Sequence, residues 1–182
     1  MRWFWIDRFI EFESGRRATA VKNVSLAEDH LHDHFSGHPL MPASLIIEGL
    51  AQTGGLLVAQ YSDFASRIVL AKIGRAKFHF HPRPGDTLLY EAIVQDISRE
   101  GGVVFCTSRL GERPQAEVEL FFVSVGEDFA GKSLFEPADF LAMLKLLGIF
   151  EVGRTADGQP LSVPDDLAQA EAQFNDGISV QS

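Results

Sequence analysis

Cysteine is nearly absent: Cys106 is the only one in 182 residues, so no internal disulfide can form and a reducing, cytoplasmic setting is expected. No apolar run is long enough to span a bilayer. The stretch from Met1 to Arg8 meets charge again at Asp7 and so lacks the apolar core of a signal peptide. Positive charge is in deficit. A formal net charge of −9 argues against nucleic acid and against anionic membrane surfaces as partners. Also missing are a phosphate-cradling glycine loop, a dinucleotide fingerprint and a nucleophile elbow. No internal repeat or linker marks off a second domain. The remainder is ordinary for a globular protein, with 46% apolar and 23% charged residues at a length suited to a single core.

Residues 9–14 and 18–25 alternate in polarity about Gly15 and read as a β-hairpin. Residues 27–41 hold four histidines without periodicity and read as a loop. A helix is expected over residues 42–61, with Pro42 at its first helical position, where a missing N–H costs nothing. Leu45, Ile46, Ile47, Leu50 and Leu57 leave it almost no polar face, so other structure should wrap it. Gly54 and Gly55 weaken its second half, or else let another segment approach closely. Four segments, 68–81, 87–97, 103–110 and 116–125, read as strands separated by proline and glycine turns. The class is α+β, one long helix against an antiparallel sheet. Residues 1–125 form the domain. Residues 126–182 read as an extension: a helix at about residues 136–148, with Pro137 near its start and Gly148 as its stop, then a polar tail expected to be loosely held.

The polar exceptions on the central helix, Ser44, Glu48 and Gln52, stand at i, i+4 and i+8 and stack along one stripe. A carboxylate among leucines is desolvated, which raises its pKa and equips it to donate a proton to a leaving oxygen. The plainer alternative makes this stripe the solvated face of a surface helix. His34, in the loop before the helix, suits a general base, or is simply a hydrogen-bonded loop histidine. An acid and a base in opposed environments are what elimination of water requires. Free N–H groups at Ala43 and Ser44, aided by the helix dipole, can polarise a thioester carbonyl and acidify its α-carbon. His30, His32, His34 and His38, with Asp29 and Asp33, raise the question of zinc, nickel or copper. No cysteine helps and the spacing matches no closed zinc pattern, so neither metal nor cofactor is expected. Lys72, Arg75, Lys77 and Arg83, with His79 and His81, form the only basic concentration, able to steer an acidic or phosphorylated partner or merely to be solvated. Cys106 reads as a core residue.

The run His34-Phe35-Ser36-Gly37-His38-Pro39-Leu40-Met41-Pro42-Ala43, followed by Glu48 and Ala51-Gln52, resembles a known pattern. The FabZ-type β-hydroxyacyl-acyl-carrier-protein dehydratases, a branch of the hotdog fold, carry His-Phe-Pro-Gly-x-Pro-x-x-Pro-Gly and then Glu and Ala-Gln. Residues 6–24 look like that family's first hairpin, and 76–86 like the approach to its long third strand. The resemblance covers roughly residues 5–125. It implies a sheet wrapped around a central helix, and a homodimer with shared active sites that assembles further, up to a hexamer. By the same resemblance His34 removes the α-proton of a 3-hydroxyacyl thioester and Glu48 of the other subunit protonates the departing hydroxyl. The backbone N–H of Ala43 would hold the carbonyl, Gly37 would belong to the substrate-binding loop, and Gln52 would orient Glu48. An acyl carrier protein or coenzyme A would deliver the substrate, docking at Lys72, Arg75, Lys77 and Arg83. Glutamate at 48, where isomerising FabA-type relatives carry aspartate, favours plain dehydration.

Departures from the pattern are Ser36 for proline, Ala43 for glycine, and His79 and Phe80 where basic residues are usual. The extension has no counterpart in the short form of the family. Other functions compatible with the fold are thioester hydrolysis, a hydratase chemistry built on Asp29 and His34, and acyl-thioester binding without catalysis.

Overall fold

A computed structural model describes residues 4–125 and 136–179; the expected boundary near residue 126 lies outside the described residues. The elements run β1 (Arg8–Glu13), β2 (Arg17–Asn23), α1 (His30–Asp33), α2 (Ala43–Gln60), β3 (Arg67–Phe78), β4 (Thr87–Ser98), β5 (Gly101–Leu110) and β6 (Arg113–Val125). The extension adds α3 (Pro137–Leu146), α4 (Ile149–Val152), β7 (Gly153–Arg154) and α5 (Asp165–Ser179). A sheet of seven strands in the order β3-β6-β5-β4-β2-β1-β7 wraps the central helix α2. This is the hotdog arrangement, α+β as the sequence implied.

Strand periodicity explains the wrap. Leu88, Tyr90 and Ala92 of β4, Val104 and Cys106 of β5, and Val118 and Leu120 of β6 are all buried, and each set falls on one face because strand side chains alternate. Ile46, Leu50, Leu57 and Val58 of α2 are buried as well. Full burial of such aliphatic side chains contributes about 1.5–3 kcal/mol apiece. The helix lies close to the sheet at its glycines. A Cβ on Gly49 would stand 2.4 Å from Tyr90 Cε2 and 2.7 Å from the carbonyl of Trp5, and one on Gly54 3.3 Å from Phe122 and 3.4 Å from Cys106 Sγ. Close approach, rather than helix weakening, accounts for these residues.

Three expectations need correction. Pro42 is the N-cap of α2, with ψ at 140°, so Ala43 is the first helical residue. The histidine-rich loop contains a helical turn, α1, because Leu31 finds a buried place there and the N–H of His34 reaches the carbonyl of His30 at 3.2 Å. Residues 153–179 of the tail are built into the fold rather than loosely held. β7 pairs parallel with β1 through Phe12↔Gly153 and Glu13↔Arg154. The chain then turns back at Thr155, whose N–H meets the carbonyl of Gln159 at 2.8 Å. α5 packs on α3 through buried Leu167 and an ion pair of 2.7 Å between Lys145 and Glu171. Low average hydrophobicity hid this, since Leu161 and Leu167 are both buried but stand far apart in a polar sequence.

The two edges of the sheet differ. On the β1 side the N–H of Phe9 donates to the carbonyl of Leu147 at 2.8 Å and that of Ser14 to Arg154 at 2.9 Å, so the extension takes up that edge. On the other side β3 runs for 12 residues with no strand beyond it among the described residues, and carries exposed Leu70 and Ile73. No described helix is long and apolar enough to cross a membrane.

Candidate active site

His34 sits where α1 ends. Its Nδ1 lies 3.0 Å from the carbonyl oxygen of Leu40, and a carbonyl can only accept, so in the neutral ring the proton resides on Nδ1 and the Nε2 lone pair is free. The ring is half-buried and stacks on Phe35, centroids 4.2 Å apart. The loop holding it is closed by several bonds. Phe35 and His38 exchange backbone hydrogen bonds of 3.1 and 2.8 Å, the N–H of Leu40 donates to the carbonyl of His34 at 2.8 Å, and that of Met41 to Pro82 at 2.8 Å. At the loop tip Gly37 has φ +72° with nothing within 4 Å of where a Cβ would be, so its backbone conformation, not crowding, favours glycine there.

At the start of α2, Leu45 and Ile46 are the first N–H groups to bond back, to Pro42 at 3.1 and 3.2 Å. The N–H groups of Ala43 and Ser44 precede them and have no intrahelical acceptor, as at any helix start. They are directed past the N-terminus of the helix, where its dipole adds to their pull on an oxygen.

Further along, Gln52 works in two directions. Its Oε1 accepts the backbone N–H of Trp5 at 2.9 Å, which leaves Nε2 to donate to Glu48 Oε1 at 3.1 Å. Glu48 itself is exposed in the single chain. The expected desolvation by neighbouring leucines therefore does not occur within one chain: those leucines turn inward, and the polar stripe of Ser44, Glu48 and Gln52 faces out. Glu48 and Gln52 line a cavity of about 760 Å³. His34 is not among the residues lining it, so one chain does not bring the two candidate groups into one chamber.

The basic residues separate in the same way. Arg75 and Lys77 on β3 are paired in register with Glu119 and Glu117 of β6, and Lys72 Nζ lies over the Phe121 ring, 5.1 Å from its centre. Hydrogen bonding from His79 at 2.8 Å is the first cause holding the Glu117 carboxyl below the ordinary range. Arg83 instead belongs to the His34 loop, its Nη2 3.4 Å from His38 Nε2.

The alternate histidines diverge. His32 meets the carbonyl of Leu26 at 3.2 Å, while His30 packs edge-on against Trp5 with ring centres 5.2 Å apart. Among the described residues no group of three or more His, Cys, Asp or Glu side chains is placed to hold a metal ion. Cys106 is buried, its thiol pushed up by desolvation.

Sequence reasoning missed the Trp5 N–H and the Leu40 carbonyl, two backbone groups that orient Gln52 and His34. No side-chain pattern announces a backbone partner. It anticipated the helix that is α3 but missed α5 and the contribution of both to the wall of the Glu48 cavity.

A family model described as the FabA-like domain matches residues 3–112. The 3-hydroxyacyl-[acyl-carrier-protein] dehydratase FabZ of Pelotomaculum thermopropionicum is 38% identical over 118 residues, 64% of this chain and 84% of that protein. The protein of the same name from Caldanaerobacter subterraneus is 37% identical over 123 residues, 67% of this chain and 87% of its own length. Among solved structures, smu.793 from Streptococcus mutans UA159 bound to acetyl CoA superposes with a TM-score of 0.56 at 19% identity, covering 69% of this chain and 94% of that one. The latter likeness is one of fold.

Proposed function

Because this chain belongs to the FabA-like domain family, we propose that it is a 3-hydroxyacyl-thioester dehydratase, converting 3-hydroxyacyl thioesters to trans-2-enoyl thioesters in acyl-chain synthesis. Relatives 37–38% identical carry that activity in their names. The observation in the site that carries the reading is the Nδ1 contact of His34 with the Leu40 carbonyl, which presents Nε2 as a base.

The reaction then runs as follows. The N–H of Ala43 holds the thioester carbonyl oxygen and acidifies the α-carbon. His34 Nε2 takes the α-proton. The released electron pair forms the C2–C3 double bond as the C3–O bond breaks, and the departing hydroxyl takes a proton from the Glu48 carboxylic acid to leave as water. His34 ends protonated and Glu48 ionised, and a proton returned from one to the other resets the site. Gln52, anchored on Trp5, fixes the rotamer of Glu48.

Since His34 and Glu48 do not share a chamber within one chain, we place His34 of one subunit opposite Glu48 of a second in a homodimer. The open, partly apolar edge of β3 supports that arrangement, and the partner would supply the desolvation that Glu48 lacks alone. Arg83, beside His38 in the substrate loop, is the cation best placed for the phosphate of a pantetheine arm, from an acidic carrier protein or from coenzyme A. Lys72, Arg75 and Lys77 contribute less, because Glu117 and Glu119 offset the field of the last two.

Purified protein incubated with 3-hydroxybutyryl and 3-hydroxydodecanoyl thioesters of carrier protein and of coenzyme A, with mass detection of the enoyl product, tests the reading. Turnover by the wild type and its loss by about a hundredfold or more in Glu48→Gln support it. Absence of turnover across chain lengths, or equal turnover by Glu48→Gln, sinks it. Mixing inactive His34→Ala with inactive Glu48→Gln restores part of the activity if the site is shared between subunits.

A further inference from the structure

The cavity beside Glu48 is not enclosed by the central helix and sheet alone. One wall is α2, with Ala51, Gly55 and Ala59 below Glu48 and Gln52; a second is Phe122 of β6 with Ile68 and Leu70 of β3. The third comes from the extension: Phe140 and Met143 of α3, Leu147 just beyond it, and Leu167 and Ala170 of α5. All five lie beyond residue 112, where the match to the family model ends.

Phe140, Met143 and Leu147 stand at i, i+3 and i+7, on one helical face. Asp139 and Asp166 also line the cavity but are exposed, which puts the charges of this wall toward solvent and its apolar groups inside. Nor is the wall a loose flap. Leu141 and Leu144 are buried, Phe140 meets Phe64 edge-on at 5.9 Å, and the Leu147 carbonyl is bonded to β1 at 2.8 Å.

Length is the next clue. From Glu48 to Ala59, at a rise of about 1.5 Å per residue, the helix face runs roughly 16 Å. An extended saturated chain advances less than one bond length of about 1.5 Å per carbon, so it would need more than about ten carbon–carbon bonds to traverse it.

We propose that α3 and α5 form the specificity-determining wall of an acyl-chain subsite. In it a linear saturated chain, attached to the thioester whose hydroxyl meets Glu48, lies along α2 and is limited in length by Phe140, Met143, Leu167 and Ala170. The identity of the head group rests on the dehydratase reading; the subsite itself rests on the cavity, its apolar walls and its continuity with the Glu48–Gln52 pair.

The test compares kcat/KM for 3-hydroxyhexadecanoyl and 3-hydroxybutyryl thioesters in the wild type, in Ala170→Trp, which fills the cavity, and in Met143→Ala, which widens it. Leu146→Ala serves as control, since Leu146 is 69% exposed on the outer side of α3. Ala170→Trp is expected to lower the long-to-short ratio by about tenfold or more, the effect of expelling a few methylenes. Met143→Ala is expected to raise the ratio for chains longer still, and Leu146→Ala to leave it unchanged. Calorimetric titration with hexadecanoyl-coenzyme A, which needs no turnover, is expected to show the same loss of affinity in Ala170→Trp.

A folded Ala170→Trp protein with wild-type ratio and wild-type affinity overturns the proposal. So does a change in subunit association with the ratio unmoved, which would assign the cavity to a second copy of the chain. Length-dependent binding that responds to Ala170→Trp in a wild type without dehydratase activity would uphold the subsite while refuting the reaction.

Discussion

The imidazole of His34 and the carbonyl of Leu40 are joined at 3.0 Å across a loop of six residues, so the chain's own backbone selects the tautomer that leaves Nε2 basic. His34→Asn keeps a donor for that carbonyl but removes the proposed base. Its kcat is expected to fall by about 10²–10⁴, while the thermal midpoint, followed by circular dichroism, stays near that of the wild type. An equal fall in both would make the residue structural.

Gln52 bridges Glu48 and the Trp5 backbone, at 3.1 and 2.9 Å. Gln52→Leu leaves the half-buried Trp5 N–H without that acceptor, a loss of about 1–3 kcal/mol to be read from urea unfolding. The same change frees Glu48 to rotate, so kcat is expected to drop more than KM rises.

Gly49 lies under the Tyr90 ring, and Gly49→Ala would drive a methyl to 2.4 Å from Tyr90 Cε2 and 2.7 Å from the Trp5 carbonyl. Overpacking at such a contact costs about 1–3 kcal/mol, a fall of roughly 2–4 °C in Tm for each kcal/mol at this chain size. Gly37→Ala meets no atom within 4 Å, and its cost of about 1–2 kcal/mol would come from the left-handed backbone alone.

Burial is the main cause that holds the His30 imidazole below its usual pKa; Glu28 and Asp29 oppose the effect, and Lys22 and His34 add to it. The native state therefore binds a proton there less readily than the unfolded chain does. Its contribution to stability is present above the unfolded value of about 6.5 and is lost as pH falls from there through the lower native value. Urea midpoints measured from pH 7.5 down to 5 are expected to decline, and His30→Phe to flatten that decline. The backbone carbonyl of His30 accepts the backbone N–H of His34 at 3.2 Å, so the titrating group stands on the same helical turn as His34.

The strands and central helix were legible because their periodicity is strong: alternation in β4, β5 and β6, and an apolar helix that had to be wrapped. Residues 34–52 pointed to a site for the same reason that they resemble a family, since loop, helix start and carboxylate must keep fixed spacing. What stayed hidden were relations with no sequence period. Trp5 reaches Gln52 across 47 positions through a backbone N–H, and Leu40 serves through a carbonyl. The burial expected at Glu48 also failed for a physical reason: an all-round apolar helix can still present its one polar stripe to the outside when the sheet covers the other faces. In the tail, Leu161 and Leu167 were too few to raise the average above that of a polar linker, yet they suffice to seat β7 and α5 against structure already formed.

The parallel contact of β7 with β1 has a consequence for growth of the sheet. Unpaired strand edges invite further strands, and short caps are one means of stopping this. With Phe9 and Ser14 bonded to the extension and Phe12 and Glu13 paired with β7, lateral extension on that side is blocked. Only the β3 side can recruit another strand among the described elements. A particle with one sticky border and one blunt border can join a copy of itself once, border to border about a two-fold axis. The product is blunt on both sides. β7 thus acts as a chain terminator on its side of the sheet, and any edge-to-edge association of copies would close at a pair instead of running on into a fibre.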